Sequence, residues 1–211
     1  MSAKRESSCY HPKMFAPREN AGRRKHSRGY LPHFDVYAST QFVSFRLADS
    51  MPQDVLKKWK AELASGEITG IELRKKIERY LDSGYGSCAL RDPRIANLLR
   101  ETFLKWDGER YELIAWVIMP NHVHILIRLL GKNLLSGIMH SIKSYTAHEA
   151  NKMLKCSGRF WSVESFDRYI RNADHFRNTL NYIEENPVKA GLCKVAADWE
   201  FSSAFGCGND G

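Results

Sequence analysis

Two histidines separated by one residue are the side chains best suited to chemistry in this sequence. His122 and His124 flank Val123 at the start of the run HVHILIRLL. In this run, every second residue from His122 belongs to one set, and the apolar residues between them form the other. On a β-strand, residues two apart project from the same face, roughly 6.5–7 Å apart along the backbone. Two imidazoles placed in this way can converge on one divalent cation. Taken alone, the pair is better explained as two histidines on a half-exposed strand than as a metal site.

A phenol and a carboxamide lie four residues apart in the last helical segment, at about 173–186. Tyr182 and Asn186 are therefore neighbours on one side of that helix, away from its apolar stripe. The stripe consists of Phe176, Leu180 and Ile183. A phenol can attack an electrophile, and an amide oxygen suits a hard cation such as Mg²⁺ or Mn²⁺. The alternative is a half-buried tyrosine beside an asparagine that ends the helix before Pro187.

Two further tyrosines compete with Tyr182 for the role of nucleophile. Tyr169 lies among charged residues in FDRYIRN but has no carboxamide four residues later. Tyr145 follows Ile138 and Ile142 at helical spacing, which predicts that it packs in the core. The pattern therefore favours Tyr182.

The surrounding periodicities predict the elements that would hold these residues. A strand is expected at 40–47 and two adjacent buried strands at 112–120 and 122–130, followed by an extended segment at 159–171. Helices are expected between Ser50 and Gly66, and at about 69–82, 93–106, 134–154 and 173–186. This alternation predicts an α+β sandwich with an antiparallel sheet.

The chain divides into three predicted regions. Residues 1–33 are polar and basic without a clear period, and we expect a flexible arm that orders on DNA or remains a solvated tail. Residues 34–205 form the folded domain, with a helical insertion at about 50–106. Residues 206–211, with three glycines, are expected to be a frayed tail.

Composition limits the classes of function. The 211 residues suffice for one sizeable core, and 32 Lys and Arg against 24 Asp and Glu give a net charge of +8. That excess suits a polyanionic partner, although a merely basic protein would show it too. No apolar run approaches the ~20 residues of a membrane span, and no secretory signal is visible. Five scattered cysteines without a CxxC pair argue against a zinc ribbon and favour a cytoplasmic protein.

Four blocks in a fixed order carry a family resemblance. They are MPNHVHILI, KSYTAHEANK, FDRYIRN and YIEENPVKAGL, preceded by RGYLPHFD and TQFVSFRL. Between about residues 28 and 203 the chain resembles the REP-associated tyrosine transposases, where REP denotes repetitive extragenic palindromes. These enzymes form part of the single-tyrosine branch of the HUH (His-hydrophobic-His) endonucleases, together with insertion-sequence transposases. The resemblance implies a ferredoxin-like sandwich with the HUH strand central in an antiparallel sheet.

The same resemblance implies roles for individual residues. His122 and His124 would be metal ligands, Tyr182 the nucleophile, and Asn186 the third ligand, which many relatives supply as glutamine. The expected activity is cleavage of single-stranded, hairpin-forming DNA through a 5′-phosphotyrosine, followed by strand rejoining in DNA transposition. The expected cofactor is Mg²⁺ or Mn²⁺. The expected partner is single-stranded, REP-like hairpin DNA, and no membrane partner is expected. The protein is expected to be a monomer or homodimer in the cytoplasm, associated with the bacterial nucleoid.

Basic residues near the motifs and in the arm are candidates for DNA binding. They are Arg23, Arg24, Lys25, Arg28, Arg128, Lys143, Arg168, Arg171 and Lys189. Two alternatives to a transposase remain open. One is a catalytically idle protein that binds DNA hairpins, and the other is a zinc protein in which His140 or His148 completes the histidine pair.

Overall fold

The computed structural model describes residues 23–28, 31–36 and 38–207, with side chains from residue 38 onward. Its strands are β1 (Arg23–Arg28), β2 (Leu31–Val36), β3 (Thr40–Leu47), β4 (Tyr111–Ile118), β5 (His122–Leu129) and β6 (Trp161–Tyr169). Its α-helices are α1 (Gln53–Ala64), α2 (Gly70–Asp82), α3 (Pro93–Lys105), α4 (Leu135–Leu154), α5 (Ala173–Glu184) and α6 (Asn186–Lys189). The strands and helices predicted after residue 39 are all present, within a few residues of their expected ends.

A four-stranded antiparallel sheet forms the centre of the domain. Its strand order is β4-β5-β3-β6, so the strand that carries the histidine pair lies between two neighbours. Along the chain the sheet and its crossover helices follow the order β3, α3, β4, β5, α4, β6, which is the βαββαβ order of a ferredoxin-like sandwich. The predicted α+β fold class is therefore confirmed.

The alternation of side chains along β5 separates two hydrophobic cores. Val123, Ile125 and Ile127 pack in a cluster with the buried faces of α3 and α4. Leu126 points to the other side, where it joins Phe42, Phe176 and other apolar residues of β3, β4 and α5. Because His122 and His124 share the parity of Leu126, both histidines lie on the α5 side of the sheet.

Two helices stand outside the βαββαβ order. α1 and α2, which we call the insertion helices, lie between β3 and α3, within the insertion predicted at about 50–106. A capping box starts α2: the Thr69 hydroxyl accepts from the Glu72 backbone N–H, and the Glu72 carboxylate accepts from the Thr69 N–H. α3 itself is the crossover helix that the fold requires between β3 and β4, so α1 and α2 are the additional elements.

Two details differ from the sequence-based expectations. α5 ends at Glu184, but helical structure resumes in α6, where Pro187 lies in the first turn and needs no intrahelical N–H donor. Helical structure therefore continues past Pro187 in a separate short helix, although α5 itself ends before it. The prediction that Tyr145 packs in the core is wrong, since it is 52% exposed. The buried face of α4 continues instead to Thr146, whose hydroxyl accepts a hydrogen bond from Trp161 Nε1 at 3.0 Å.

The N-terminal region contains a second, two-stranded sheet. β1 and β2 pair antiparallel, from Arg23 opposite Val36 to Arg28 opposite Leu31, whereas the sequence indicated no regular element before residue 33. The rest of the predicted arm and residues 208–211 of the predicted frayed tail lie outside the described residues. Every helix of the described part is too short or too polar to cross a bilayer.

Candidate active site

The fold brings four of the predicted site residues together on one side of the sheet. His122 and His124 lie on β5, Tyr182 lies in the last turn of α5, and Asn186 is the first residue of α6. The Tyr182 hydroxyl is 3.5 Å from His124 Nε2, although 58 positions separate the two residues in the chain. Phe42 of β3 packs against both residues. Its ring is stacked on His124, with the centroids 5.5 Å apart, and lies edge-on to Tyr182, with the centroids 5.9 Å apart.

Burial fixes the charge state of the two histidines. Each is 1% exposed, and their ring centroids are 4.8 Å apart. Burial lowers the pKa of His122 to about 3. The pKa of His124 is also well below its ordinary value, because of burial first and then the nearby His122 and Arg74. Both imidazoles are therefore neutral at neutral pH, which is the form that donates a lone pair to a metal.

Asn121, which the sequence analysis did not single out, orients His122. Its side-chain N–H₂ donates to the carbonyls of Leu81 at 3.1 Å and Tyr85 at 2.9 Å. These two bonds fix the amide so that Oδ1 faces His122 Nδ1 at 2.8 Å and accepts its proton. His122 therefore presents an unprotonated Nε2 to the site. Asn121 directly precedes the HUH motif, and this position was the only signal in the sequence that could have indicated its role.

The residues present fit a hard divalent cation. In the part of the chain that the structure describes, no three His, Cys, Asp or Glu side chains already form a metal cluster, so a further oxygen ligand is needed beside the histidine pair. Asn186 is 1% exposed, and its Oδ1 has no hydrogen-bond partner among the described residues. His124 Nδ1 is also buried without a hydrogen-bond partner among the described residues. Such buried, unpaired acceptors are costly, at roughly 1–3 kcal/mol each, which is the expected signature of a ligand position.

Replacing Asn121 by alanine should weaken metal binding and stability together. Loss of the Nδ1 acceptor frees the His122 ring, so we expect Mn²⁺ affinity to fall by about 10–100-fold. The two carbonyls that lose their donor should cost about 1–3 kcal/mol of unfolding free energy. Titration calorimetry with Mn²⁺ and thermal unfolding measure the two effects. Asn133→Ala is the matched control, because the Asn133 amide donates to the Leu130 carbonyl away from the site. Unchanged Mn²⁺ affinity in Asn121→Ala would mean that Asn121 only joins the β4–β5 turn to the end of α2 and the segment after it.

Tyr182 is enclosed by charged groups from the insertion helix α2. Burial raises its pKa above the ordinary value, and the nearby carboxylates of Glu78 and Asp82 raise it further against the opposing effect of Arg74. Lys189 Nζ lies 5.4 Å from the centre of the phenol ring. The phenol is therefore protonated at neutral pH, and its attack on an electrophile requires a neighbouring group that takes the proton.

A stripe of charged residues on α2 was missed from the sequence. Arg74, Glu78 and Asp82 are spaced by four and so share one face of the helix. Arg74 Nε donates to Glu78 Oε1 at 2.7 Å, and the Arg74 guanidinium lies 4.5 Å from the centre of the Phe166 ring. A cleft opens between this helix and the α5–α6 junction. Its lining residues are Lys75, Glu78, Arg79, Asp82, Tyr182, Asn186 and Lys189.

Three of the basic residues proposed to bind DNA lie near this cleft or on the same side of the sheet. Lys189 is exposed at the cleft, and Arg168 and Arg171 are exposed at the end of β6. The pKa of Arg168 is lowered by partial burial and by the neighbouring Arg74 and Arg171, which shows that these cations crowd together. A cluster of like charges of this kind is well suited to a phosphate backbone.

Lys143 and Arg128, which were also proposed to bind DNA, are not brought to the cleft. Lys143 Nζ donates to the Ser162 carbonyl at 2.7 Å and to Ser165 Oγ at 3.1 Å. Arg128 pairs with Glu112 at 3.1 Å, at the opposite end of β5 from His122. Arg23, Arg24, Lys25 and Arg28 lie on β1, whose side chains fall outside the described residues.

The competing tyrosines and histidines lie away from the site. Tyr169 pairs with Gln41, which in turn pairs with Ile127, so Tyr169 belongs to the α4 side of the sheet. Tyr145, His140 and His148 are exposed on α4, and the buried face of α4 packs on that same side. Neither His140 nor His148 can therefore complete the histidine pair, and the zinc alternative built on them is wrong.

Comparison with known proteins agrees with this geometry. Residues 90–186 match a family described as IS200-like transposase. A REP-associated tyrosine transposase of Escherichia coli K12 is 33% identical over 108 residues, which are 50% of this chain and 62% of that protein. A second curated relative, from Haemophilus influenzae, is 28% identical over 103 residues, covering 44% of this chain and 58% of the relative. The chain thus spans less than two thirds of the length of both relatives.

A solved structure shares the fold. It is a REP-associated tyrosine transposase bound to a REP hairpin, with a TM-score of 0.53 and 22% sequence identity over 85% of this chain and 82% of that one. The matched segment 90–186 begins after the insertion helices and ends at Asn186, so it includes all four residues of the site. The resemblance to the REP-associated tyrosine transposases is therefore confirmed, with residues 90–186 matching the IS200-like transposase family.

Proposed function

We propose that this chain is a metal-dependent, single-tyrosine transposase that cleaves and rejoins single-stranded DNA next to a REP-like hairpin. The observation that carries the proposal is the position of the Tyr182 hydroxyl, 3.5 Å from His124 Nε2 and in the same cleft as Asn186. The hairpin substrate is supported by the solved relative, which is bound to a REP hairpin.

His122, His124 and Asn186 would hold the cation. When bound, a divalent ion would neutralise charge on the scissile phosphate and favour the phenolate form of the nucleophile. The protein itself contributes order: Phe42 packs against both His124 and Tyr182, so the nucleophile and the histidine keep a fixed separation. Burial excludes water from the histidines and strengthens the electrostatic interactions of the site.

The chemical step is an exchange of phosphodiester bonds. The Tyr182 oxygen forms a bond to phosphorus while the bond to the 3′ oxygen of the departing strand breaks, leaving a 5′-phosphotyrosine and a free 3′-OH. The phenol proton leaves toward a neighbouring acceptor, for which the Glu78 carboxylate is the group beside the hydroxyl. Since the covalent link keeps the energy of the ester, another 3′-OH can reverse the step and join new strands.

The basic cluster would hold the DNA during this exchange. Arg74 and Arg171 lie close enough to Arg168 to lower its pKa, and Lys189 lines the cleft. We expect them to contact phosphates on both sides of the scissile bond, so binding should weaken steeply with rising salt.

A covalent trapping experiment tests the proposal. The purified chain is incubated with a labelled DNA hairpin that carries a single-stranded flank, with Mg²⁺ or Mn²⁺, and then denatured and run on a gel. We expect a labelled protein–DNA adduct that is absent with EDTA and absent with a fully duplex control. If hairpin binding is found without an adduct under any metal, the chain is a catalytically idle hairpin-binding protein.

A further inference from the structure

Asp82, at the end of insertion helix α2, faces the histidine pair. Its Oδ1 lies 3.7 Å from His122 Nε2 and is buried without a hydrogen-bond partner among the described residues. Asp82 and Asn186 line the same cleft. The cleft therefore contains two unpaired oxygens, one from a carboxylate and one from an amide, and the carboxylate oxygen lies beside His122.

The contact between Asp82 and His122 joins two acceptors. Asn121 Oδ1 accepts from His122 Nδ1, so the ring turns the lone pair of Nε2 toward Asp82. The Asp82 carboxylate opposite it also carries only lone pairs when ionised. Two such groups at 3.7 Å do not attract one another, and their arrangement is favourable when a cation lies between them.

The separation suits ligands of a single ion. Two ligand atoms that are each about 2.1 Å from a cation lie about 3.0 Å apart at a right angle and about 4.2 Å apart when opposed. The observed 3.7 Å falls between these limits. The backbone next to Asp82 is held in place, because the Leu81 and Tyr85 carbonyls both accept from Asn121.

We propose that Asp82 is a further metal ligand, supplied by the insertion helix to the cation held by His122, His124 and Asn186. The inference rests on the proposed metal-dependent function and gives the insertion a role. α2 lies outside the segment that matches the transposase family, so the ligand comes from an element that the family match does not include. A carboxylate adds negative charge to an otherwise neutral ligand set, which favours Mg²⁺ or Mn²⁺ over softer cations.

Mn²⁺ binding to the full chain, without DNA, tests the inference. Asp82→Asn should bind Mn²⁺ about 10–100-fold more weakly than the unchanged chain, measured by calorimetry or by the electron paramagnetic resonance signal of free Mn²⁺. Asp54→Asn is the matched control, since Asp54 is an exposed carboxylate on the other insertion helix. Thermal unfolding checks that both variants fold. An affinity of Asp82→Asn within twofold of the unchanged chain contradicts the inference.

A change of ligand type separates coordination from a structural role. Asp82→Cys should shift the preference from Mn²⁺ toward Cd²⁺, because a thiolate is a soft ligand, whereas Asp54→Cys should not. If Asp82→Asn loses affinity but Asp82→Cys gains no preference for Cd²⁺, Asp82 acts through the structure and is not a ligand. His122→Ala distinguishes the two levels of the proposal. Mn²⁺ binding that survives His122→Ala, or is missing from the unchanged chain, contradicts the proposed metal site itself.

Discussion

Tyr182→Phe is expected to abolish the covalent protein–DNA adduct while leaving hairpin binding nearly unchanged. The substitution removes one oxygen, which is the atom that would bond to phosphorus, and keeps the ring that packs edge-on against Phe42 and His124. Cleavage should fall by at least about 1,000-fold, since no other nucleophile occupies its place. Hairpin affinity, measured by gel shift or fluorescence anisotropy, should stay within about twofold because phosphate contacts dominate it.

The other tyrosines supply the controls for this result. Tyr169→Phe and Tyr145→Phe should form the adduct at the rate of the unchanged chain. Tyr169 lies on the α4 side of the sheet, and Tyr145 is exposed on α4 itself. An adduct that persists in Tyr182→Phe and disappears in Tyr169→Phe would assign the nucleophile to Tyr169. Peptide mapping of the trapped adduct identifies the attachment site directly.

His122→Ala and His124→Ala are each expected to remove metal-dependent cleavage. Both imidazoles are buried and neutral, so each loss deletes one of the few ligands that can hold a divalent ion at this place. We expect adduct formation to fall by at least about 100-fold and Mn²⁺ binding to weaken by a similar factor. Hairpin affinity should change far less, because the basic cluster on Arg74, Arg168 and Arg171 remains.

Histidines on α4 provide matched controls for the ligand assignment. His140→Ala and His148→Ala change exposed imidazoles on the helix that packs against the other side of the sheet, so cleavage and Mn²⁺ binding should be unaffected. Thermal unfolding of all four variants separates loss of a ligand from loss of the fold. Full metal-dependent cleavage in both His122→Ala and His124→Ala would remove the histidine pair from the mechanism.

Local periodicity was enough to predict most of the elements. The alternation of β5 placed His122 and His124 on one face and Val123 on the other, and the structure has this arrangement. Spacing alone also made Tyr182 and Asn186 neighbours, and both line the cleft, although Asn186 begins α6 and Tyr182 also packs against the cluster of Phe176 and Ile183. The side from which a residue projects depends on its immediate backbone, which is why a pattern of two or of three to four residues predicts it.

Periodicity failed where a neighbouring element decides what is buried. Tyr145 has helical spacing from Ile142, but Thr146 is the residue that meets Trp161, so the phenol is left in solvent. Lys143 and Arg128 were proposed as DNA-binding residues from their place near the motifs. Their partners in the structure are the Ser162 carbonyl and Glu112, which the sequence does not place beside them.

The sequence by itself therefore determined which residues could carry the chemistry. The tertiary structure decided which other residues lie next to them. His122 and His124 share a face because they lie two apart on one strand, whatever packs above them. Tyr182 reaches His124 only because α5 packs on that face, and Glu78 and Asp82 reach the cleft only because α2 stands across it. Contacts between residues far apart in the chain depend on which faces of separate elements bury one another, and a single local pattern does not contain that information.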